Sequence, residues 1–200
     1  MQKKLILGSS SPYRKSLLTR LNLPFECLSP NIDESQKEHE SAHQLVKRLS
    51  IEKAIAVHQE YNQTCTQLDA LIIASDQVAI LNDKILGKPL SEENAINQLK
   101  EFSGQKVSFL TGLCLFNQED ESYQYETSEY HVYFRQLTIE EIKNYVRIEQ
   151  PLHCAGSFMC EGLGVSLFEK MEGQDPNSLI GLPLISLCRL LRLYNINPIG

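Results

Sequence analysis

The 200-residue chain is 42% hydrophobic and 22% charged and has no Trp, a composition that suits a globular protein with a sizeable core and excludes disordered and fibrous classes. Its net charge of −6 argues against binding long nucleic acid, which needs a basic surface, but leaves a nucleotide open, because a few Lys and Arg in one cleft suffice. No stretch reaches the roughly 18–20 apolar residues of a membrane span, and the apolar run after the basic start is only Leu5-Ile6-Leu7. That is too short for a signal-peptide core, so a cytoplasmic protein without a membrane partner is expected.

In chain order, Lys4–Leu7 reads as a short strand entering the loop Gly8-Ser9-Ser10-Ser11. Pro12 then starts a helix with Leu17, Leu18 and Leu21 at helical spacing. Phe25–Ser29 reads as a second strand. Ser41 caps a long amphipathic helix carrying Leu45, Val46, Leu49, Ala54 and Val57. Asp69–Leu81 contains Leu71-Ile72-Ile73-Ala74, a run that suits a strand covered on both faces and breaks into polarity at Ser75-Asp76-Gln77. Ser91 with Glu92 and Glu93 opens a helix ending near Gly104.

Lys106–Asn117 and Glu126–Leu137 read as consecutive antiparallel strands, and Thr138-Ile139-Glu140-Glu141 opens another helix. The Gly-punctuated segment 152–172 reads as strand-like, and Leu179–Leu193 as one apolar C-terminal helix. The class is mixed α/β, with two lobes expected and the first ending around Asp83. The six cysteines (Cys27, Cys65, Cys114, Cys154, Cys160, Cys188) show no paired CxxC spacing. They read as reduced, mostly buried small hydrophobes.

Four clusters bear on chemistry. Gly8 through Lys15 runs from a strand through hydroxylated residues into a helix start bearing Arg14. Free N–H groups, hydroxyls and the positive helix end make a phosphate cradle, and Arg14 adds a bidentate fork. The plain alternative is a Ser-rich loop beside a solvated helix face. Asp76, after the apolar strand, sits where ligands gather in open α/β sheets, placed to hold a divalent cation and to orient or deprotonate water; otherwise it is a turn residue. Glu34, Lys53 and Lys88 are the acid and cations that phosphoryl chemistry needs, and they matter only if they converge. The loop His153 through Gly164 suits either closure on a ring-shaped ligand or an ordinary bend. A Walker Gly-x-x-x-x-Gly-Lys pattern is absent, against P-loop chemistry.

Taken in order, these motifs resemble the Maf/septum-inhibitor family of nucleoside triphosphate pyrophosphatases along essentially the whole chain. The matching stretches are Ser9 through Arg14, Asp33-Glu34, Glu52-Lys53-Ala54, Ser75-Asp76-Gln77-Val78, Gly87-Lys88-Pro89, Tyr145-Val146, Ala155-Gly156-Ser157-Phe158 and Gly173 through Pro183. The resemblance implies a single Maf-like domain over 1–200, an α/β fold with a two-lobed mixed sheet, flanking helices and a central cleft, commonly a homodimer. It implies hydrolysis of the α–β phosphoanhydride of a nucleoside triphosphate with a divalent cation, Mg²⁺ or Mn²⁺.

By position, Asp76 resembles the general base and a metal ligand, with Glu34 the acidic metal- or water-positioning residue. Ser9, Arg14, Lys53 and Lys88 resemble the triphosphate-binding groups. Tyr13, Gln77 and Glu161 occupy the family's specificity positions and resemble the 7-methyl-GTP branch, in which Trp is expected where this chain has Tyr13. A pyrophosphatase for dTTP, UTP or another modified nucleotide is the alternative enzyme, and a nucleotide-binding regulator of cell division the non-enzyme alternative.

Overall fold

The computed structural model describes residues 3–64 and 69–200, so Cys65 lies outside the described residues. In chain order the elements are β1 (Lys4–Gly8), α1 (Pro12–Thr19), β2 (Phe25–Leu28), α2 (Ala42–Thr64), β3 (Ala70–Leu81), β4 (Lys84–Leu86), α3 (Glu92–Phe102), β5 (Lys106–Asn117) and β6 (Tyr123–Phe134). There follow α4 (Ile139–Glu149), short 3-10 turns at Ala155–Ser157 and Leu163–Leu167, β7 (Phe168–Gly173), α5 (Pro176–Ile180) and α6 (Leu184–Arg192). The strands form one mixed sheet in the order β2-β1-β3-β5-β6-β7, with β4 also on β3. Among the described residues, no helix is long and apolar enough to cross a membrane.

Strand β3 is the axis of this sheet. It runs parallel to β1 from Ala70 to Ile73 and antiparallel to β5 from Leu71 to Ile80. Successive side chains point to opposite faces. Leu71 and Ile73 pack with Leu17, Leu18 and the α6 leucines, while Ile72 and Ala74 pack with Ala54 and Val57 of α2. Both faces are therefore covered, which is why the sequence reads as a continuous apolar run. The strand does not stop at the polar triplet, as its sequence suggests. Ser75, Asp76 and Gln77 continue it to Leu81, because β5 supplies a ladder along its whole second half.

Three boundaries differ from the sequence reading, each for a local reason. The second ribbon strand starts at Tyr123 rather than Glu126. The Asp120 carboxylate accepts from Asn117 Nδ2 at 2.7 Å, Ser122 N at 3.0 Å and Ser122 Oγ at 2.7 Å, which closes the reversal early. Segment 152–172 is strand only from Phe168; before that it folds into 3-10 turns through Gly156, whose φ of 77° is left-handed. The C-terminal apolar stretch is two helices, since Gly181 ends α5 at φ 117° and Pro183 precedes α6. Among the cysteines, only Cys114 of those described is buried; Cys27 is exposed, and Cys154, Cys160 and Cys188 are intermediate.

One carboxylate ties the two C-terminal helices together. Asp175, 3% exposed, accepts from Asn177 N at 2.9 Å through Oδ1 and from Ile185 N at 2.7 Å through Oδ2. Both are helix-start amides that lack an intrahelical partner. Asp175→Ala strips both caps at once and is expected to cost about 2 kcal/mol, seen as a Tm lowered by roughly 4–8 °C in a chain of this length. Asp175→Asn keeps one acceptor and should fall between.

Candidate active site

The site forms where one edge of β3 is left uncovered. On the edge away from β5, β1 pairs only as far as Ile73, and β4 takes over only from Ala79. The β3–β4 turn is tight because Asn82 and Asp83 both have positive φ, 48° and 65°, the geometry of a two-residue hairpin. Ser75 to Val78 therefore face a gap rather than a strand. A cleft of about 550 Å³ opens there, and Ser9, Tyr13, Arg14, Glu34, Lys53, Asp76, Gln77, Lys88 and Glu161 all line it. These nine candidate site residues meet in one cavity.

At its floor a single ammonium bridges two carboxylates. Lys53, on α2, lies 2.6 Å from Asp76 Oδ1 and 2.8 Å from Glu34 Oε1. Lys53 is 5% exposed and Asp76 6%, so the pair is held away from bulk water, where a charge must be partnered. Burial opposes ionisation of Glu34, but the Lys53 hydrogen bond, the Lys53 charge and the nearby Lys88 and Arg14 overcome it and hold its carboxyl below the usual range.

Arg14 enters from the first turn of α1. Pro12 sits at the helix start, and Ser11 Oγ accepts from Arg14 N at 3.4 Å. The guanidinium is anchored by one nitrogen: Nε donates to Gly181 O at 2.8 Å. Ser75 Oγ reaches the same carbonyl at 2.9 Å and Gly112 O at 2.7 Å. Burial pulls the Arg14 pKa down, against the pull of Asp76 and Glu34; a guanidinium nonetheless stays charged. In the adjoining loop, Ser9 Oγ accepts from Ser11 N at 3.1 Å, a contact that shapes the turn before the helix.

The opposite wall carries the three specificity candidates. Gln77 faces away from α2, and its Nε2 lies 3.0 Å from Thr111 Oγ1, 2.7 Å from Ser178 O and 3.1 Å from Leu179 O. Carbonyl partners fix which amide atom is nitrogen, so Oε1 is the end left for a ligand's donor. Tyr13 Oη lies 3.0 Å from Met159 Sδ and 4.0 Å from Cys154 Sγ. Burial, the neighbouring thiol and the Glu161 and Glu149 charges push its phenol up to about 12, so it stays neutral. Glu161 is exposed at the rim, accepting from Cys160 Sγ at 3.3 Å. Lys88 is exposed on the β4–α3 turn, and its field reaches both Glu34 and Cys154.

Sequence reading missed the groups that hold these residues: Ser50, Ser75, Thr111 and the Gly181 carbonyl. Ser50 stands one helical turn before Lys53, a spacing that marks a shared helix face; Ser75 and Gly181 lie in the matching stretches without a role read for them, and Thr111 had no signal, because their partners lie far along the chain. Among the described residues, no group of three or more His, Cys, Asp or Glu gathers as a metal cage. Lys53 takes one oxygen from each carboxylate, leaving Asp76 Oδ2 and Glu34 Oε2 as hard oxygen donors. That set fits a cation of the Mg²⁺ type, which binds through one or two carboxylates and completes its shell with phosphate and water.

A strand–loop–helix cradle, an open sheet edge and a Lys-bridged pair of carboxylates occur together in one cleft of a mixed α/β fold. The Maf-like protein family matches residues 4–194, and the chain belongs to the Maf family. It is 50% identical over 195 residues to a 7-methyl-GTP pyrophosphatase of Colwellia psychrerythraea (strain 34H / ATCC BAA-681), an alignment covering 98% of this chain and 94% of that protein. It is likewise 50% identical over 199 residues to a 7-methyl-GTP pyrophosphatase of Aliivibrio fischeri (strain ATCC 700601 / ES114), covering 98% and 99%.

The loop that delivers Glu34 is itself tethered. Arg48 of α2 donates from Nε to Glu40 Oε1 at 2.6 Å, from Nη2 to Glu40 Oε2 at 2.8 Å and from Nη2 to Ser35 O at 2.9 Å. The Arg48 hydrogen bond holds the Glu40 carboxyl at about 2, below its ordinary 4.5. A carboxyl depressed on folding contributes stability that is whole above its ordinary value and lost as pH falls through the folded one. Glu40→Gln is therefore expected to lower Tm by about 2–4 °C at neutral pH. The gap from wild type should close between pH 4.5 and about 2, as followed by thermal melts across that range.

Proposed function

We propose that this protein is a nucleoside triphosphate pyrophosphatase that hydrolyses 7-methyl-GTP to 7-methyl-GMP and pyrophosphate. The observation that carries the reading is the convergence of Arg14, Lys53 and Lys88 with Asp76 and Glu34 in one cleft. The two relatives of that name, matched over nearly their whole length, support the substrate.

The chemistry follows from charge and position. Three cations against two carboxylates leave one excess positive charge, too little for a triphosphate, so a divalent cation held by Asp76 and Glu34 is part of the proposal. When bound, Mg²⁺ or Mn²⁺ polarises the phosphate and offsets its charge. The chain's own residues do the rest. Arg14, fixed by Gly181, offers its two terminal nitrogens to phosphate oxygens in a planar fork. Lys53 and Lys88 stabilise negative charge as it shifts toward the leaving pyrophosphate. Asp76 accepts the proton of the attacking water, and the Lys53 ammonium keeps that carboxylate oriented. Ser9 and the α1 N-terminus hold a phosphate oxygen.

For the base, guanine methylated at N7 carries positive charge. The Tyr13 ring stacks against it with cation–π character, worth about 1–2 kcal/mol when water is excluded. Glu161 accepts from the guanine N–H groups and offsets the same charge, and Gln77 Oε1 offers a further acceptor. A homodimer in the cytoplasm completes the reading, supported by the family resemblance.

With Mg²⁺ or Mn²⁺, purified protein should release pyrophosphate from 7-methyl-GTP faster than from GTP, dTTP or UTP. No release from any of the four rejects the activity; a preference for dTTP or UTP rejects the substrate alone. Asp76→Asn is expected to lower kcat by at least about 10²-fold while still binding nucleotide, and near-normal turnover would remove Asp76 as the base. Glu161→Gln should narrow the preference for 7-methyl-GTP over GTP, read from the ratio of kcat/KM values.

A further inference from the structure

Asp76 lies where β3, paired with β5 on one edge, has no strand on the other, between the end of β1 pairing at Ile73 and the start of β4 pairing at Ala79. Its backbone N–H points into a packed interior and needs an acceptor. A helix supplies it: Asp76 N donates to Ser50 Oγ at 3.1 Å. Ser50 is fully buried, and its own proton goes to Val46 O at 2.6 Å, one turn back on α2. That second bond sets the direction of the hydroxyl and leaves a lone pair aimed at β3. Three residues on, and so on the same helix face, Lys53 holds the Asp76 carboxylate. Helix α2 therefore grips this residue twice, once by main chain and once by side chain.

An independent observation shows that the close approach is built in. Gly112 is the β5 partner of Asp76. A Cβ on Gly112 would stand 2.7 Å from Ser50 Oγ, 2.7 Å from Val46 O and 3.0 Å from Tyr125 Oη. The first two are the atoms of the Ser50 relay. Glycine is needed here for space, so that α2 sits low enough for Ser50 to reach across. A serine inside a helix that bonds back to its own backbone slightly weakens that helix, and its bond to β3 gives a reason for it to be there.

We propose that Ser50 is a positioning residue for catalysis: its hydrogen bond to the Asp76 N–H, permitted by Gly112, sets the β3 backbone so that the Asp76 carboxylate is aimed at the attacking water. The inference rests on the reading of Asp76 as the base. Ser50 touches no substrate and acts only through Asp76. Without its oxygen, the N–H is left unpaired, the open edge of β3 at Asp76 shifts, and Lys53 alone must hold the carboxylate. Displacements of about 1 Å at a reacting group are enough to cost up to roughly 10²-fold in rate.

The test is a cycle of Ser50→Ala, Asp76→Asn and the double variant, assayed for pyrophosphate release from 7-methyl-GTP with Mg²⁺. Ser50→Ala is expected to lower kcat by about 10-fold or more with KM changed less than about twofold, the signature of an interaction used in the transition state. In the Asp76→Asn background the same change should lower kcat by less than about twofold, because its route of action is gone. Ser50→Cys keeps the volume but offers only a weak acceptor, and it carries the same expectation should the alanine variant fold poorly. Equal losses in both backgrounds, or a raised KM with unchanged kcat, overturn the positioning role while leaving Asp76 as the base. An Asp76→Asn enzyme with full turnover overturns both.

Discussion

The structure depends on the Lys53 ammonium, which lies within 3 Å of both Asp76 and Glu34 and is almost wholly buried with the first of them. Two carboxylates that share one cation would repel without it, and Asp76 is buried while Glu34 stands at the exposed side of the bridge. One cation between them removes the conflict and joins three separate pieces of chain: the loop before α2, α2 itself and β3. Lys53 also leaves each carboxylate a second oxygen.

Around that bridge the scaffold is arranged by what it omits. β1 is short, β4 begins late, and the intervening open edge of β3 lets a cleft reach the middle of a long strand. Gly112 omits a side chain, which lets α2 settle onto the sheet. Gly181 omits one where the chain must turn at φ 117°, and its buried carbonyl anchors Arg14. The C-terminal segment, remote in sequence from the phosphate cradle, thereby orients its principal cation. Asp175 keeps that segment in place by capping both of its helices.

Local patterns read well where the physics is local. The capping box at Thr138 and Glu141, the Ser91 cap and the Pro12 helix start all form as their residues suggest. The reading fails where a distant partner decides. Ser75 to Gln77 look like the end of a strand, yet β5 extends the strand past them. The apolar run from Leu179 looks like one helix, yet Gly181 and Pro183 divide it. Segment 152–167 reads as strand-like, yet it folds into turns along the cleft wall. The break at Gly181 and Pro183 is a local one that the apolar pattern masked; in the other two cases the backbone path was set by a turn or a neighbour that period and composition do not encode.

The sequence by itself determined which side chains are candidates for the chemistry, because their types and their places beside strand ends and helix starts are local properties. It offered Asp76, Arg14, Lys53, Lys88 and Glu34 as candidates, and the family resemblance added Tyr13, Gln77 and Glu161 as specificity positions. Only the tertiary structure decided how they work together. It placed Asp76 mid-strand at an open edge rather than at a strand end, gave Lys53 two carboxylate partners, and turned the Gln77 amide nitrogen inward onto α5. It also exposed Ser50 as the acceptor for the Asp76 N–H. The physical reason is the same throughout: a side chain's chemistry belongs to the residue, while its orientation and charge environment are set by groups that folding brings in from elsewhere in the chain.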